Sequence, residues 1–380
     1  MYEVDIMDLL DKPLTLPPFS TEALQVCTAL SQKLLTQCSR PDLVALGFWL
    51  REANIQRIHK NFVAKQTKHC LSTPRGLVFH LPPSNVEVMA LYSWIPSLLM
   101  GNANILRWSN TTTLLLKRIV ESVLPLIEQN TRFVSYDHDE QMTAQFSLQA
   151  DMRVIWGGDE TILAMRKLPL KPHAKELVFG DRTSLAAIDV QSYLNAPAAK
   201  KQQLSEQFYN DTYWFDQKAC SSPRSIVWIG AEASQARQTF YEYLKRVIVQ
   251  KKYVVPLAAQ LEKLTHTYLA AMQAEKVDRL NNELIVVYNT TLPKEHCGYG
   301  VLHDLCVSDL EELLEHISRK EQTLSYFGID SETLRSWAQR LRGRGIDRIV
   351  PIGQALQFDI LWDGYNLLDE FSSKVFLTCS

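Results

Sequence analysis

Gly76-Leu77-Val78-Phe79-His80-Leu81-Pro82-Pro83-Ser84-Asn85 opens the stretch that decides the fold, and residues 86–108 complete it. The apolar run 77–81 predicts a buried strand and 82–85 a turn. Residues 86–100 predict a helix ended by Gly101-Asn102, and Asn104-Ile105-Leu106-Arg107-Trp108 a second strand. Ser109 to Thr112 then offer caps for a helix running to 126, and 132–136 forms another strand. Strand, helix, strand, helix in regular succession predicts a parallel sheet with helices on its faces, an α/β architecture.

Working outward, residues 21–60 read as helical, capped by Ser20 or Thr21, with Leu24, Val26, Leu30, Leu34 and Leu35 at helical spacing. Downstream, 152–156 predicts a strand, and Gly157-Gly158-Asp159-Glu160-Thr161 opens a helix to 167. Strands are expected at 176–179 and 184–188. After Asp189 the chain turns polar and helical to 210, which places a domain boundary near 189. A second α/β unit follows, with strands at 225–229 and 284–288, helices at 233–250, 256–275 and 308–320, and the glycine-rich junction 342–345 at its end. The expected division is therefore 1–188, 189–345, and a tail, 346–380, returning to the first domain.

The chain has 380 residues, 46% hydrophobic and 22% charged, enough for two or three compact units. Its net charge of -2 gives no global attraction to nucleic acid or anionic lipid. Arg340, Arg342, Arg344 and Arg348 read as a solvated loop around Gly343 and Gly345 more readily than as a phosphate or nucleic-acid patch, because no DNA-binding motif accompanies them. Seven cysteines, an odd set without Cys-x-x-Cys or paired histidine spacing, argue against a zinc or disulfide framework and for a reducing compartment. The acidic start, Met1-Tyr2-Glu3-Val4-Asp5, argues against a secretory signal. The apolar run 86–98 contains Glu87 and Pro96 and is too short to span a bilayer. A cytoplasmic protein without a membrane span or a metal is expected.

Four places could carry chemistry. Cys220 sits in Gln217-Lys218-Ala219-Cys220-Ser221-Ser222-Pro223, a small polar loop ahead of a strand, where an open thiolate could attack a carbonyl or thioester. It could equally be a small residue in a tight turn. Asn85 follows the first strand, where ligands of doubly wound sheets bind, and could donate to an oxyanion or simply cap a helix. Gly157 and Gly158 would let a pyrophosphate approach a helix N-terminus, although a plain turn is the better reading without a full glycine fingerprint. Arg107, near the end of its strand, suits a ribose 2′-phosphate or a surface ion pair.

Together these segments resemble the aldehyde dehydrogenase superfamily, closest to its LuxC-type (bacterial luminescence) acyl-CoA reductase branch. The resemblance rests on 76–85, on Gly101-Asn102-Ala103-Asn104-Ile105-Leu106-Arg107, on Trp156-Gly157-Gly158-Asp159-Glu160-Thr161, and on Phe215 to Arg224 around Cys220. Arg348-Ile349-Val350-Pro351-Ile352-Gly353 and Trp362-Asp363-Gly364 complete the order. The resemblance implies two doubly wound Rossmann-like domains with the active site between them, 1–188 binding NADP and 189–345 carrying the catalytic thiol. It puts Cys220 at the nucleophile and Asn85 at the oxyanion amide. Arg107 falls where dehydrogenases have a lysine on the adenosine ribose, Ser109 with it on the cofactor side, and Gly157 and Gly158 near the cofactor phosphates.

Two departures bear on function. The glutamate that activates water in hydrolytic members is replaced by Leu177; Glu176 is one residue out of register and faces the other side of its strand. The motif whose glutamate holds the nicotinamide ribose is degraded to Cys297-Gly298-Tyr299-Gly300-Val301, to which no role is assigned. The implied function is NADPH-dependent reduction of an acyl-CoA, or of an acyl group on a carrier or protein thioester, to a fatty aldehyde. An acyl-protein ligase or acyltransferase would be its partner. The alternatives are a hydrolytic aldehyde dehydrogenase and an inactive acyl-binding subunit. Homo-oligomerisation is left open.

Overall fold

The computed structural model describes residues 9–10, 12–84, 86–136 and 139–378. The chain divides into two compact units, one formed by residues up to Asp181 together with those from Phe358 onward, the other by Arg182–Gln357.

The first unit is built on β1 (Cys70–Pro74), β2 (Leu77–Leu81), β3 (Ala103–Arg107), β4 (Thr131–Val134), β5 (Met152–Trp156) and β6 (Lys175–Phe179). Strands β2 to β6 form one parallel sheet in the order β4-β3-β2-β5-β6. The chain winds outward from β2, then returns beside it with β5, so the carboxyl ends of β2 and β5 flank the switch point where such sheets bind ligands. All five residues of β2 are buried. Helix Val88–Leu99, apolar almost all round, packs against β2 and β3 and joins a core with Val78, Leu106, Val154 and Trp362. Several motif residues serve this framework. His80 lies between Ser93 Oγ (2.8 Å) and Asn104 Oδ1 (3.1 Å), and Asn102 Oδ1 accepts from the Arg75 and Gly76 amides.

The second unit has a seven-stranded sheet. Its strands are β7 (Thr183–Asp189), β8 (Pro223–Ile229), β9 (Lys276–Arg279), β10 (Ile285–Tyr288), β11 (Val301–Val307), β12 (Glu321–Phe327) and β13 (Arg348–Pro351). They are ordered β13-β12-β7-β8-β11-β10-β9 and parallel except for the edge strand β9. From Phe358 the chain returns to the first unit with a short hairpin, β14 (Leu361–Trp362) and β15 (Tyr365–Asn366), and then β16 (Ser372–Phe376), which pairs antiparallel with β1.

Several expected boundaries move. The helical stretch 21–60 is three helices, Thr21–Gln37, Pro41–Trp49 and Glu52–Lys65; Pro41 at an N-terminal position starts the second. The helix expected from Ser109 to 126 is Leu114–Glu121, capped by Thr113. Strand 184–188 was expected in the first unit, but β7 pairs with β8 and β12 in the second sheet, so the chain changes unit at Asp181 rather than near 189. The junction 342–345 does not end the second unit, because β13 still adds to β12. Arg340, Arg342 and Arg344 around it are exposed, and three of the four arginines also make contacts. Arg340 pairs with Glu311, Arg344 donates to Leu314 O (3.2 Å), and Arg348 donates to the carbonyls of Ala355 (2.8 Å) and Gln354 (3.0 Å).

Candidate active site

The cysteine loop follows helix Ala198–Tyr213 and lies outside the amino ends of β7 and β8, where Ser184 faces Pro223 in the ladder. Cys220 is half-buried and in no disulfide, and its carbonyl accepts from Ser184 Oγ at 2.7 Å. Just ahead of it, Asp216 and Gln217 take left-handed backbone angles (φ 53° and 59°), which non-glycine residues adopt only where surroundings hold them. The surroundings do so here. The fully buried Gln217 side chain accepts from Gly300 N at 2.6 Å and donates to Pro223 O and Val301 O, each at 3.3 Å. The Asp216 carbonyl accepts from Tyr299 N (2.9 Å), and its carboxylate from the Tyr253 hydroxyl (2.5 Å).

Segment 297–301 therefore has a place, which sequence reasoning missed: it is the wall against which the cysteine loop is set. Both its glycines have positive φ. A Cβ on Gly298 would meet Asp216 O at 2.5 Å, and one on Gly300 would meet Glu283 O at 1.8 Å. The Gly-Tyr-Gly spacing was the available signal, since paired glycines mark a backbone that must turn closely past another.

Two other cysteines are held as neutral thiols. Burial pushes Cys297 up to about 11 and Cys27 up to about 12, so both stay protonated. Cys220 is flanked in sequence by two cations. Lys218 lies 4.5 Å over the Tyr299 ring, and Arg224 donates to Gln217 O at 3.1 Å. Both cations act on the Cys297 thiol, against the larger effect of its burial.

In the first unit, Glu176 is held at 2.6 Å from Arg153 Nη2 and 2.7 Å from Arg166 Nε, and these hydrogen bonds keep its carboxyl below the usual range despite the opposing effect of burial. Leu177, on the other face of β6, is buried in the core beside Trp156 and Phe179. Neither residue offers a free carboxylate for activating water.

The expected cofactor residues lie at the ends of two strands, β5 and β3, on either side of β2. Gly157 and Gly158 follow β5, Arg107 ends β3, and Ser109 comes two residues later. Gly158 caps helix Asp159–Arg166, and no atom lies within 4 Å of where its Cβ would sit, so bare backbone faces open space there. Gly157 lies against Thr161, 3.2 Å from its would-be Cβ. The Arg107 guanidinium lies 4.8 Å over the Tyr136 ring, with Nη2 3.4 Å from Tyr136 O. Ser109 Oγ bonds Thr111 Oγ1 at 2.8 Å, and that hydroxyl donates to Ser84 O at 2.6 Å, bracing the turn after β2. These residues fit an anionic dinucleotide, although Asp159 and Glu160 in the first turn of the helix oppose a phosphate. Asn85 lies outside the described residues. Among the described residues no group of three or more metal-ligating side chains could hold a metal ion.

Residues 14–374 match the family described as acyl-CoA reductase (LuxC). The chain belongs to this family. Curated LuxC-type relatives include the long-chain acyl-protein thioester reductase of Aliivibrio fischeri, 24% identical over 298 residues, covering 74% of this chain and 59% of that protein. The reductase of the same name from Photorhabdus laumondii is 24% identical over 327 residues, covering 80% and 63%. The chain thus spans about six-tenths of the length of these relatives. Among solved structures, aldehyde dehydrogenase 21 from Physcomitrella patens superposes with a TM-score of 0.70 at 13% identity, covering 99% of this chain and 90% of that one. An aldehyde dehydrogenase from Staphylococcus aureus gives 0.66 at 14% identity, covering 94% and 90%. The LuxC-family chain has the aldehyde dehydrogenase fold.

Proposed function

We propose that this LuxC-family chain reduces a fatty acyl thioester to the aldehyde through an acyl-enzyme on Cys220, with NADPH as reductant. The observation that carries the reading is the family match over residues 14–374, with curated relatives named as acyl-protein thioester reductases. The Cys220 thiolate adds to the thioester carbonyl; the tetrahedral adduct collapses, the donor thiolate leaves, and the acyl group remains on sulfur. The Cys220 N–H and the Asn85 amide would stabilise the oxyanion, Asn85 on the strength of its motif alone. A nicotinamide cofactor, when bound, supplies the hydride that reduces the acyl carbonyl. The resulting thiohemiacetal oxyanion on Cys220 collapses and expels the cysteine thiolate, which frees the aldehyde.

Bare backbone at Gly158 and the Arg107 guanidinium support dinucleotide binding, and the permanent charge of Arg107 suits the 2′-phosphate that distinguishes NADPH. Leu177 and the ion-paired Glu176 support reduction over hydrolysis, because neither can deprotonate water at the acyl carbon. The donor is a fatty acyl thioester, on coenzyme A or on a protein. The test is aldehyde formation from a panel of acyl-CoAs and from an acylated carrier protein, each with NADPH and with NADH. Aldehyde with NADPH from either donor is expected. Sustained oxidation of free aldehyde to acid, with no reduction of any thioester, would overturn the proposal.

A further inference from the structure

The amino edge of the second sheet departs from regular pairing at one level, and the departure is centred on Ser184. On one side of β7, Ser184 faces Pro223 while Leu185 already faces Ser225, so Arg224 is an extra residue in β8. On the other side, Thr183 faces Glu321 while Leu185 faces Leu324, so Gln322 and Thr323 of β12 together stand opposite Ser184. Bulges are rare between parallel strands; where they occur they re-aim side chains and interrupt the ladder, and they are over-represented beside active sites. Here two of them flank a single residue.

The slips send polar groups toward the cysteine loop. Arg224 Nε donates to Gln217 O at 3.1 Å. Ser184, only 1% exposed, accepts from Thr323 N at 3.1 Å and donates to Cys220 O at 2.7 Å. A serine hydroxyl has one hydrogen, and with the Thr323 amide aimed at the oxygen, that hydrogen is committed to the Cys220 carbonyl. Two buried hydrogen bonds thus fix the peptide that follows the thiol to β7 and, through it, to β12. Water has no room to take over this bond, because the space beside Ser184, bounded by Leu292, Pro293 and His296, is too narrow for a water molecule.

We infer that Ser184 is a positioning residue for Cys220: its hydroxyl holds the Cys220 carbonyl, and through it the thiol, at the angle from which the sulfur meets a thioester carbonyl. The inference rests on the acyl-enzyme reading of Cys220. Ser184 acts through the backbone of Cys220 and takes no part in the bonds made or broken. A reacting group displaced by about 1 Å can lose on the order of 100-fold in rate, so one hydrogen bond in this place weighs on acylation far more than on folding.

The test compares Ser184→Ala, Ser184→Thr and Ser325→Ala in the full chain. Peptide mass spectrometry follows two reactions at Cys220: alkylation by iodoacetamide, and acylation by a labelled long-chain acyl-CoA without reductant. Ser325 is a buried hydroxyl on β12 that donates to Leu185 O at 3.5 Å, so its removal reports the loss of a sheet hydrogen bond that does not reach the cysteine loop. In Ser184→Ala, alkylation needs only access and is expected to quicken by about threefold or more as the loop opens locally. Acylation needs the angle as well and is expected to slow by about tenfold or more. Ser184→Thr, which keeps the oxygen, is expected to bring both rates back toward those of the wild type, and Ser325→Ala to leave both unchanged. Unchanged rates in Ser184→Ala, a shift shared with Ser325→Ala, or a Ser184→Thr that behaves as Ser184→Ala would each overturn the inference. A wild type that takes up no acyl group overturns the reading of Cys220 instead, and the alkylation rates then still decide whether Ser184 holds the loop.

Discussion

At the scale of single residues, the loop that carries the proposed nucleophile, Cys220, is tied down by a neighbour that does no chemistry. Gln217 is buried without charge and ties the cysteine loop to β8 and to the 300–301 backbone through three hydrogen bonds. Gln217→Ala would leave the Gly300 amide and two carbonyls short of a partner, at a cost of about 1–3 kcal/mol. The expected outcome is a lower unfolding midpoint together with a changed alkylation rate of Cys220 by iodoacetamide; Gln217→Glu, which keeps the acceptor, should recover part of the stability. Unchanged alkylation in both variants would show that Gln217 does not position the loop. Cys220 stood out in the sequence as a candidate because small polar neighbours ahead of a strand are a local pattern. Gln217 was not, since its partners lie 83 and 84 residues away and only the folded sheet brings them near. The same holds for Glu176: sequence register set it one residue from the water activator's place, but its two arginine partners emerge only from the folded chain, one of them from the pairing of β5 with β6.

At the scale of elements, the first sheet was readable because β2, β3 and β5 are short, mostly apolar runs, almost wholly buried. In the second sheet, β11 and β12 escaped. Strand β11 is interrupted by His303 and Asp304, and β12 begins Glu-Gln-Thr; all of these are buried. Polar residues can occupy a central strand when they are bonded. Asp304 accepts from Trp228 Nε1 (2.9 Å) and Tyr241 Oη and pairs with Arg237 (2.6 Å), and Glu321 accepts from Ser318 N at 2.6 Å. Strand β7 was read but assigned to the wrong unit, because nothing local says which sheet a short apolar strand will join. The 297–301 turn is the element whose shape matters most to the thiol. Gly300→Ala places a Cβ against the Glu283 carbonyl at a positive φ, and a loss of about 2 kcal/mol or more is expected by thermal denaturation. Tyr299→Phe, which keeps the backbone and the ring beneath Lys218, should be nearly neutral. Equal stability of Gly300→Ala and the wild type would refute the close approach.

For the whole molecule, buried ionisable groups pull stability in opposite directions as pH falls. Burial holds His80 and His303 down at about 3, so both are neutral when folded. Such a histidine binds its proton only in the unfolded chain, and its contribution is present above about 6.5 and lost as pH falls toward 3. Burial raises Asp211 to about 7 and Asp304 to about 6; these groups hold a proton in the folded chain that the unfolded chain releases, so they add stability as pH falls from about 7 toward 4. Single variants separate the two effects. His80→Gln can keep both hydrogen bonds without titrating, and its stability relative to the wild type is expected to improve by about 1.4 kcal/mol for each pH unit below 6.5. Urea denaturation at pH 6.5, 5.5 and 4.5, chosen as roughly one-unit steps, reads this directly. A difference that does not change with pH would mean that His80 takes up its proton as readily in the folded chain as in the unfolded one. The central claim concerns the thiol. Incubation with a labelled long-chain acyl-CoA without reductant, followed by peptide mass spectrometry, should find the acyl group on Cys220 and not on Cys297; addition of NADPH should discharge it as aldehyde. An adduct that persists in Cys220→Ala, or aldehyde formed by that variant, would contradict the account.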